Sequence, residues 1–574
     1  MFVLPLAFYR GFTEQFSAPK LFLSKSLIVA GLAVWAIDRV WRPSTHRARP
    51  FLRLPLLAFS GAALASCLMS PVPRFSFLEI EFALCGPAWI LLLISWESGE
   101  SSARRIAVLT GVAGALAAGI ALLQRCGVDP VLWGGYQVNW GTMVTRMRLY
   151  STFGNPNFVG GYLIAAIFLP LALAAVSTSR WEKVLWWSLT LTVLAAIVET
   201  GSRGAWLGLA VGLIVAGLVI LPQHLSPKRD LRESAGSTGA RILGIGFPGW
   251  PVALLTLTLV ERLVSQFYGR IYLWRFSLPL FWQRPVRGSG WGTYQLFYLD
   301  LQARFLAAHP EYIRYWTNNR LLHNDPLQLL LEAGILGLAA FVWVLWEYAR
   351  EARRVLRQGA GRWTRFAIAA SAGGVTAILV DSIFNYQFAV PPTYILLFTL
   401  LAFPALLRPV DVGKDSQTPP VPVIVPGANR RSPALKLAST LAIIAVAGGL
   451  LWQQARVLGS LHAYQTAADF EDRDDLADAE DAYRHSIDLN ALNGLAHFGL
   501  SRVLCSTARP SEALMEIGLA ERTYTDSHEE VLRGHVLNQL NRRFEALAAY
   551  RNALRLDPTL TNVQAEIDRL MEGR

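Results

Sequence analysis

The sequence predicts an all-α protein, a polytopic transmembrane helical bundle of about 12 spans with a large extramembrane loop and a C-terminal α-solenoid. Three observations carry this reading. Hydrophobic residues make up 53% of the 574-residue chain and charged residues 16%, whereas a soluble chain is nearer a quarter charged. Apolar runs approaching the roughly 20 residues that cross a bilayer recur as far as residue 455. Beyond them the composition turns soluble, and small residues return at spacings of 33 and 34.

Residues 1–9 are apolar but too short to cross, and they lack the basic start and small-residue cleavage site of a secretory signal. They read either as the stump of a further crossing or as a short interfacial segment. Twelve spans follow, near 21–41, 51–70, 75–96, 106–124, 158–179, 184–199, 204–222, 242–260, 326–348, 366–388, 391–408 and 437–455. Loops after the odd-numbered spans hold twenty-one basic residues, Arg42, Arg104, Arg180, Lys228, Arg350 and Lys436 among them. The short loops on the other side hold five, namely Arg74, Arg125, Arg146, Arg148 and Arg203. Basic residues stay on the cytoplasmic side. The long 261–325 interval, the N-terminus and the C-terminal domain are therefore expected outside.

The expected domains are a membrane-embedded unit over 1–408, an extended Pro-rich linker over 409–436, a last transmembrane helix over 437–455 and a repeat domain over 459–574. In the last of these, Ala479-x3-Tyr483, Ala513-x3-Ile517 and Ala546-x3-Tyr550 recur in register. Small residues at that period, where paired helices pack closely, are the tetratricopeptide signature. Such a module binds or spaces, and it offers no catalytic group.

Composition also excludes. The net charge of +12 sits mostly in short loops, where it sets orientation instead of a nucleic-acid surface. Cys67, Cys85, Cys126 and Cys505 show neither C-x-x-C spacing nor clustering with His, so no disulfide framework or zinc site is implied. No Walker loop or Rossmann fingerprint occurs. The D-x-D at Asp472 and Asp474 falls in the repeat domain and reads as a solvated helix end. Chemistry is left to Arg and His, with no metal and no cofactor.

The 261–325 interval carries eight arginines, from Arg262 to Arg320, interleaved with Trp274, Trp282, Trp291 and Trp316. That mixture suits an anion-binding surface at a membrane boundary. Four polar clusters lie near span ends, and the charge argument puts all four on the outer face. They are Ser151-Thr152-Phe153-Gly154-Asn155-Pro156-Asn157, Glu199-Thr200-Gly201-Ser202-Arg203-Gly204, Gly269-Arg270-Ile271-Tyr272-Leu273-Trp274, and His323-Asn324. Each has an ordinary structural role beside the functional one. Asn155 and Asn157 suit a helix cap, and Arg203 suits a headgroup anchor. Arg270 and Trp274 share a face on any helix. A lone histidine caps helices as readily as it catalyses. Asp381, with Asn385 and Gln387, sits in the outer half of the tenth span, and an acid at membrane depth is a functional candidate. Glu332 is too far along its helix to partner His323 and reads as a positioning group.

Taken together, and with Phe16-Ser17-Ala18-Pro19-Lys20, Gly288-Ser289-Gly290-Trp291-Gly292 and Glu332-Ala333-Gly334-Ile335-Leu336-Gly337, these clusters resemble the O-antigen ligase and polymerase superfamily of bacterial envelope glycosyltransferases. The resemblance covers roughly residues 10 to 410. It implies a multi-pass protein of the bacterial inner membrane, an undecaprenyl-diphosphate glycan donor, and transfer on the periplasmic face to lipid A-core, glycan or protein. It implies catalytic roles for His323, Arg203 and Arg270; beside them, Asn155, Asn157, Trp274, Asn324 and Asp381 are expected around the substrate. Guanidinium forks suit a diphosphate, and a neutral imidazole suits a proton transfer near neutral pH. Two readings from other classes compete: a transporter or flippase, and an envelope-assembly scaffold whose repeats recruit a protein partner. The polar clusters lie at span ends, away from the midplane sites of transporters.

Overall fold

A computed structural model describes residues 2–12, 14–42, 52–96, 99–131, 149–221, 269–408 and 432–572. Among these residues every regular element is a helix. The bundle comprises α1 (Ser17–Trp41), α2 (Arg53–Leu68), α3 (Pro73–Trp96), α4 (Glu100–Arg125), α5 (Pro156–Ala166), α6 (Phe168–Val176), α7 (Arg180–Thr200) and α8 (Arg203–Ile220). After a helical run over 269–283 come α9 (Tyr294–Ala308), α10 (Asp325–Arg357), α11 (Arg362–Asp381), α12 (Pro391–Leu407) and α13 (Pro433–Glu471).

Nine described helical spans are long and apolar enough to cross a membrane, and α2 and α12 are shorter apolar helices. Eleven of the twelve expected spans thus fall on apolar helices. The twelfth, 242–260, lies outside the described residues, as do Arg262 and linker residues 409–431. The apolar helix α12 is buried along its whole length, because it is hydrophobic on every face and packs at the centre of the bundle. Around it, α8 meets α11 closely. A Cβ at Gly208 would sit 2.6 Å from the Ala377 carbonyl oxygen, and one at Gly212 would sit 2.6 Å from that of Gly373. Small residues four apart let two helix backbones approach this far.

Four boundaries differ from the sequence reading. The span expected over 366–388 ends at Asp381, and a turn leads into a short 3-10 helix, Gln387–Ala389. The helix expected over 326–348 is broken at Gly334, with φ 67° and ψ −171°. The last span does not stop near 455, because α13 runs unbroken for 39 residues into the C-terminal array. Residues near the N-terminus pack against the bundle. Thr152 donates to the Pro5 carbonyl at 2.5 Å, and the buried Lys20 ammonium donates to the carbonyls of Ala7 at 2.5 Å and Phe16 at 3.0 Å.

The C-terminal helices are α14 (Leu476–Leu489), α15 (Gly494–Ser506), α16 (Pro510–Ala520), α17 (Ser527–Gln539), α18 (Arg543–Leu556) and α19 (Thr561–Glu572). The periodic residues Ala479, Tyr483, Ala513, Ile517, Ala546 and Tyr550 are all buried. Two tyrosines explain the period physically. The Tyr483 ring lies where a Cβ on Gly499 would be, and the Tyr550 ring does the same at Gly534.

Candidate functional site

Two caps set the site's backbone. Asn155 precedes α5, and its side chain accepts the Asn157 N–H at 2.8 Å. Asn324 precedes α10 and accepts the Leu327 N–H at 2.9 Å. Both follow the helix-start rule, in which a short polar side chain satisfies an orphan backbone donor before a Pro at the first turn. Their side-chain oxygens, expected near substrate, are thus engaged by the protein's own backbone.

The centre of the site is Asp381, which is fully buried at the end of α11. Asn385 donates to its Oδ1 at 2.7 Å and Gln387 to its Oδ2 at 2.6 Å. Gln387 also donates to the Asn157 carbonyl at 3.0 Å, and Arg270 donates to Asn385 Oδ1 at 3.3 Å. Arg203 opens α8 on the turn whose next residue packs here, since a Cβ at Gly204 would sit 2.5 Å from Asp381 Oδ1. Three clusters far apart in sequence therefore meet at one carboxylate. A buried polar group is tolerable only when it is hydrogen-bonded, and Asp381 satisfies that with two amides. Its expected contact with substrate is not what the fold gives it, for it lies beneath Arg270 and holds it through Asn385.

The fourth cluster joins from the side. His323 has φ +53°, a left-handed backbone that histidine adopts more readily than most residues. Its ring meets the Tyr386 ring edge-on at 4.7 Å and 74°. Asp325 ties the two segments together, taking the Phe388 N–H at 3.0 Å and giving its own N–H to the Ser382 carbonyl at 2.9 Å. His323 Nδ1 is buried without a hydrogen-bond partner among the described residues. Burial first, and the Arg270 charge second, hold its pKa down to about 4. The imidazole is neutral at physiological pH, and a free ring nitrogen can accept a proton. Burial also lowers the Arg270 pKa, and Asp381 opposes that effect.

The two glycine motifs form one unit. Gly290 N–H donates to the Glu332 carbonyl at 3.0 Å, Ser289 N–H to that of Leu331 at 3.0 Å, and Ile335 N–H to that of Pro285 at 2.9 Å. The backbones touch so closely that a Cβ on Gly334 would lie 2.3 Å from the Val286 carbonyl oxygen. The Glu332 carboxylate accepts the Gly292 N–H at 2.9 Å and the Tyr294 N–H at 3.3 Å. It is a positioning group for the loop.

The loop is a folded unit with its own aromatic core of Tyr272, Phe276, Tyr294 and Tyr298, against which Trp274 packs. Most of its arginines serve that fold. Arg275 stacks over Tyr312 and donates to its hydroxyl, Arg284 donates to the Met69 carbonyl at 2.9 Å, and Arg304 pairs with Asp300 at 2.7 Å. Of the arginines expected to form a broad anion-binding surface, Arg275, Arg284 and Arg304 are thus taken up by the protein's own groups. Sequence reading passed over Tyr386 and gave Asn385 and Gln387 no more than a mention, because the signal that joins them to Arg270 is a contact and not a spacing.

With this geometry in place, the family comparison is specific. Residues 188–342 match the family model described as O-antigen ligase. The match includes Arg203, Arg270, the glycine loop, His323 and Gly334, and leaves Asn157 and Asp381 outside its ends. Comparison with curated proteins gave no match.

Proposed function

We propose, from the match of residues 188–342 to the family model described as O-antigen ligase, a membrane glycosyltransferase that moves a glycan from undecaprenyl diphosphate to an acceptor hydroxyl on the periplasmic face. The observation that supports it most is the path from Arg270 through Asn385, Asp381 and Gln387 to the Asn157 carbonyl, beside a neutral His323. In the proposed step the acceptor oxygen attacks the anomeric carbon and the bond from that carbon to the diphosphate breaks. The hydroxyl proton passes to His323, and the diphosphate leaves with its charge held by Arg270 and Arg203. A guanidinium binds phosphate oxygens in pairs, and its stabilisation counts most where charge develops. No metal enters this step. Lipid A-core, a growing glycan and a protein are three acceptors this chemistry serves equally. The C-terminal helices are read as tetratricopeptide repeats on the same face.

Transfer from purified lipid-linked donor in proteoliposomes, with EDTA present, tests the reading. Wild-type protein should transfer, and Arg270→Ala should transfer far more slowly. Full activity in Arg270→Ala, or EDTA inhibition reversed by a divalent ion, would overturn it.

A further inference from the structure

A cavity of about 730 Å³ lies between α1, α3, the loop and the C-terminal helices, within the range of about 300–1,000 Å³ typical of small-ligand sites. Neither Arg203, Arg270 nor His323 lines it, yet it borders them, because Tyr386 lines the cavity and also touches the His323 ring. Its roof comes from the C-terminal region, including Gln454 of α13, Leu495 of α15 and Tyr524.

The lining has a definite chemistry. Aromatic side chains, among them Phe75, Phe82 and Trp291, share the wall with the carboxylates of Glu14 and Glu79. Those two carboxylates have no hydrogen-bond partner among the described residues, and the cations nearest in their electrostatics are Arg320 and Lys25. An anionic ligand would meet unpaired carboxylates, and an acyl chain would strip water from them at a cost, while Lys25 and Arg320 are already engaged, with Glu81 at 3.1 Å and Asp526 at 3.8 Å. A neutral polyhydroxylated ring suits both the aromatic wall and the carboxylates. Its C–H face packs on aromatic rings, and its hydroxyls donate to carboxylates.

We propose that this cavity is a saccharide-binding chamber that the C-terminal helices complete. The proposal rests on the glycosyl-transfer reading above and deepens it, by placing the sugar of donor or acceptor on the far side of Tyr386 from His323. The C-terminal module then belongs to the substrate site and is more than a spacer.

The test uses full-length protein in lipid nanodiscs and saturation-transfer NMR. The probes are oligosaccharides released by mild acid from the source cell's lipid-linked donor and, in a second arm, from its glycosylated acceptor. Wild-type protein should bind at least one of them, and the arm that binds names the source. Glu79→Gln, which keeps the volume and removes the charge, should weaken binding about tenfold, the worth of one hydrogen bond to a charged group, and Leu495→Trp, which fills the roof, should weaken it by excluding the saccharide. Both variants should elute as monodisperse as wild type. Wild-type affinity in Glu79→Gln and Leu495→Trp, or no binding of either probe to wild-type protein, would overturn the proposal. If transfer persists while binding ignores both substitutions, the chamber alone fails. If saccharide binding behaves as stated while Arg270→Ala transfers normally, the catalytic reading alone fails.

Discussion

The Arg320 guanidinium lies 4.3 Å from the centre of the Tyr524 ring, three residues before His323 in the chain. The same group is 3.8 Å from Asp526, whose carboxylate also accepts from Asn318 at 3.3 Å. Trp316 donates to the Leu556 carbonyl at 2.9 Å, and Arg555 pairs with Asp300 at 2.9 Å. The C-terminal helices thus grip the strip of loop that delivers His323.

Breaking that grip should be felt at the site. Tyr524→Ala combined with Asp526→Ala removes a cation–π contact and a shared acceptor, together worth about 1–3 kcal/mol. Hydrogen exchange over residues 316–323 should accelerate and transfer should slow several-fold. Unchanged exchange would mean that the loop holds itself. By the same logic, deletion of residues 466–574 should cost more activity than loss of a remote binding module would.

His323→Ala should slow transfer by about 10²–10⁴, the usual worth of a positioned proton acceptor. The wild-type pH profile carries a sharper signature. The neutral imidazole is the active form, so activity is lost as pH falls through its pKa. In the free protein that pKa is near 4, so kcat/KM should hold down to about pH 4. A bound diphosphate offsets the Arg270 charge and raises it, so kcat should fall at a higher pH. In Arg270→Ala the kcat/KM limb should move up as well, since that cation depresses it. Coincident limbs in wild type would remove His323 from the proton transfer.

Arg270→Lys should restore only part of what Arg270→Ala loses, because an ammonium has no bidentate fork. Asp381→Asn should destabilise the fold. An amide there cannot accept from both Asn385 and Gln387, and a stranded buried donor costs about 1–3 kcal/mol. A wild-type melting temperature in Asp381→Asn would show that the amides find other partners.

Gly334→Ala should fail for the backbone's reason. Its φ of +67° with ψ of −171° is a region essentially closed to residues with a Cβ, at about 1–3 kcal/mol. The added methyl would also press on the Val286 carbonyl. Membrane yield and melting temperature should both drop, with Gly217→Ala in α8 as the comparison, where nothing lies within 4 Å of the added methyl.

A phosphatase fused after residue 574 should be active, as the basic-residue asymmetry requires. An inactive phosphatase with a fluorescent cytoplasmic reporter at that point would reverse the orientation.

Much of this was legible in the chain. Long apolar runs such as that of α4 leave a helix few alternatives, so eleven of the expected spans fall on apolar helices even where their ends differ. Polar clusters at their ends marked a candidate site because polar groups there need partners, and Arg270, Asn157 and His323 each contact the 381–388 turn, through Asn385, Gln387 and Tyr386. Interruptions were less legible. Gly334 inside an apolar run looks like any membrane glycine until the partner backbone at Val286 is seen. Asp381 looked like a residue within a span because hydropathy does not register the turn that follows it.

The sequence by itself determined the all-helical, multi-span class of the protein and where most of its apolar helices fall, since these follow from local hydrophobicity. Only the tertiary structure decided what the residues of the candidate site do to one another. That Asp381 holds Arg270 through Asn385, that Glu332 fastens a glycine loop, and that Tyr524 sits on Arg320 are contacts across up to two hundred residues or more. No periodicity encodes them, because their energy arises only once the burial of separate helices has brought the groups within hydrogen-bonding reach.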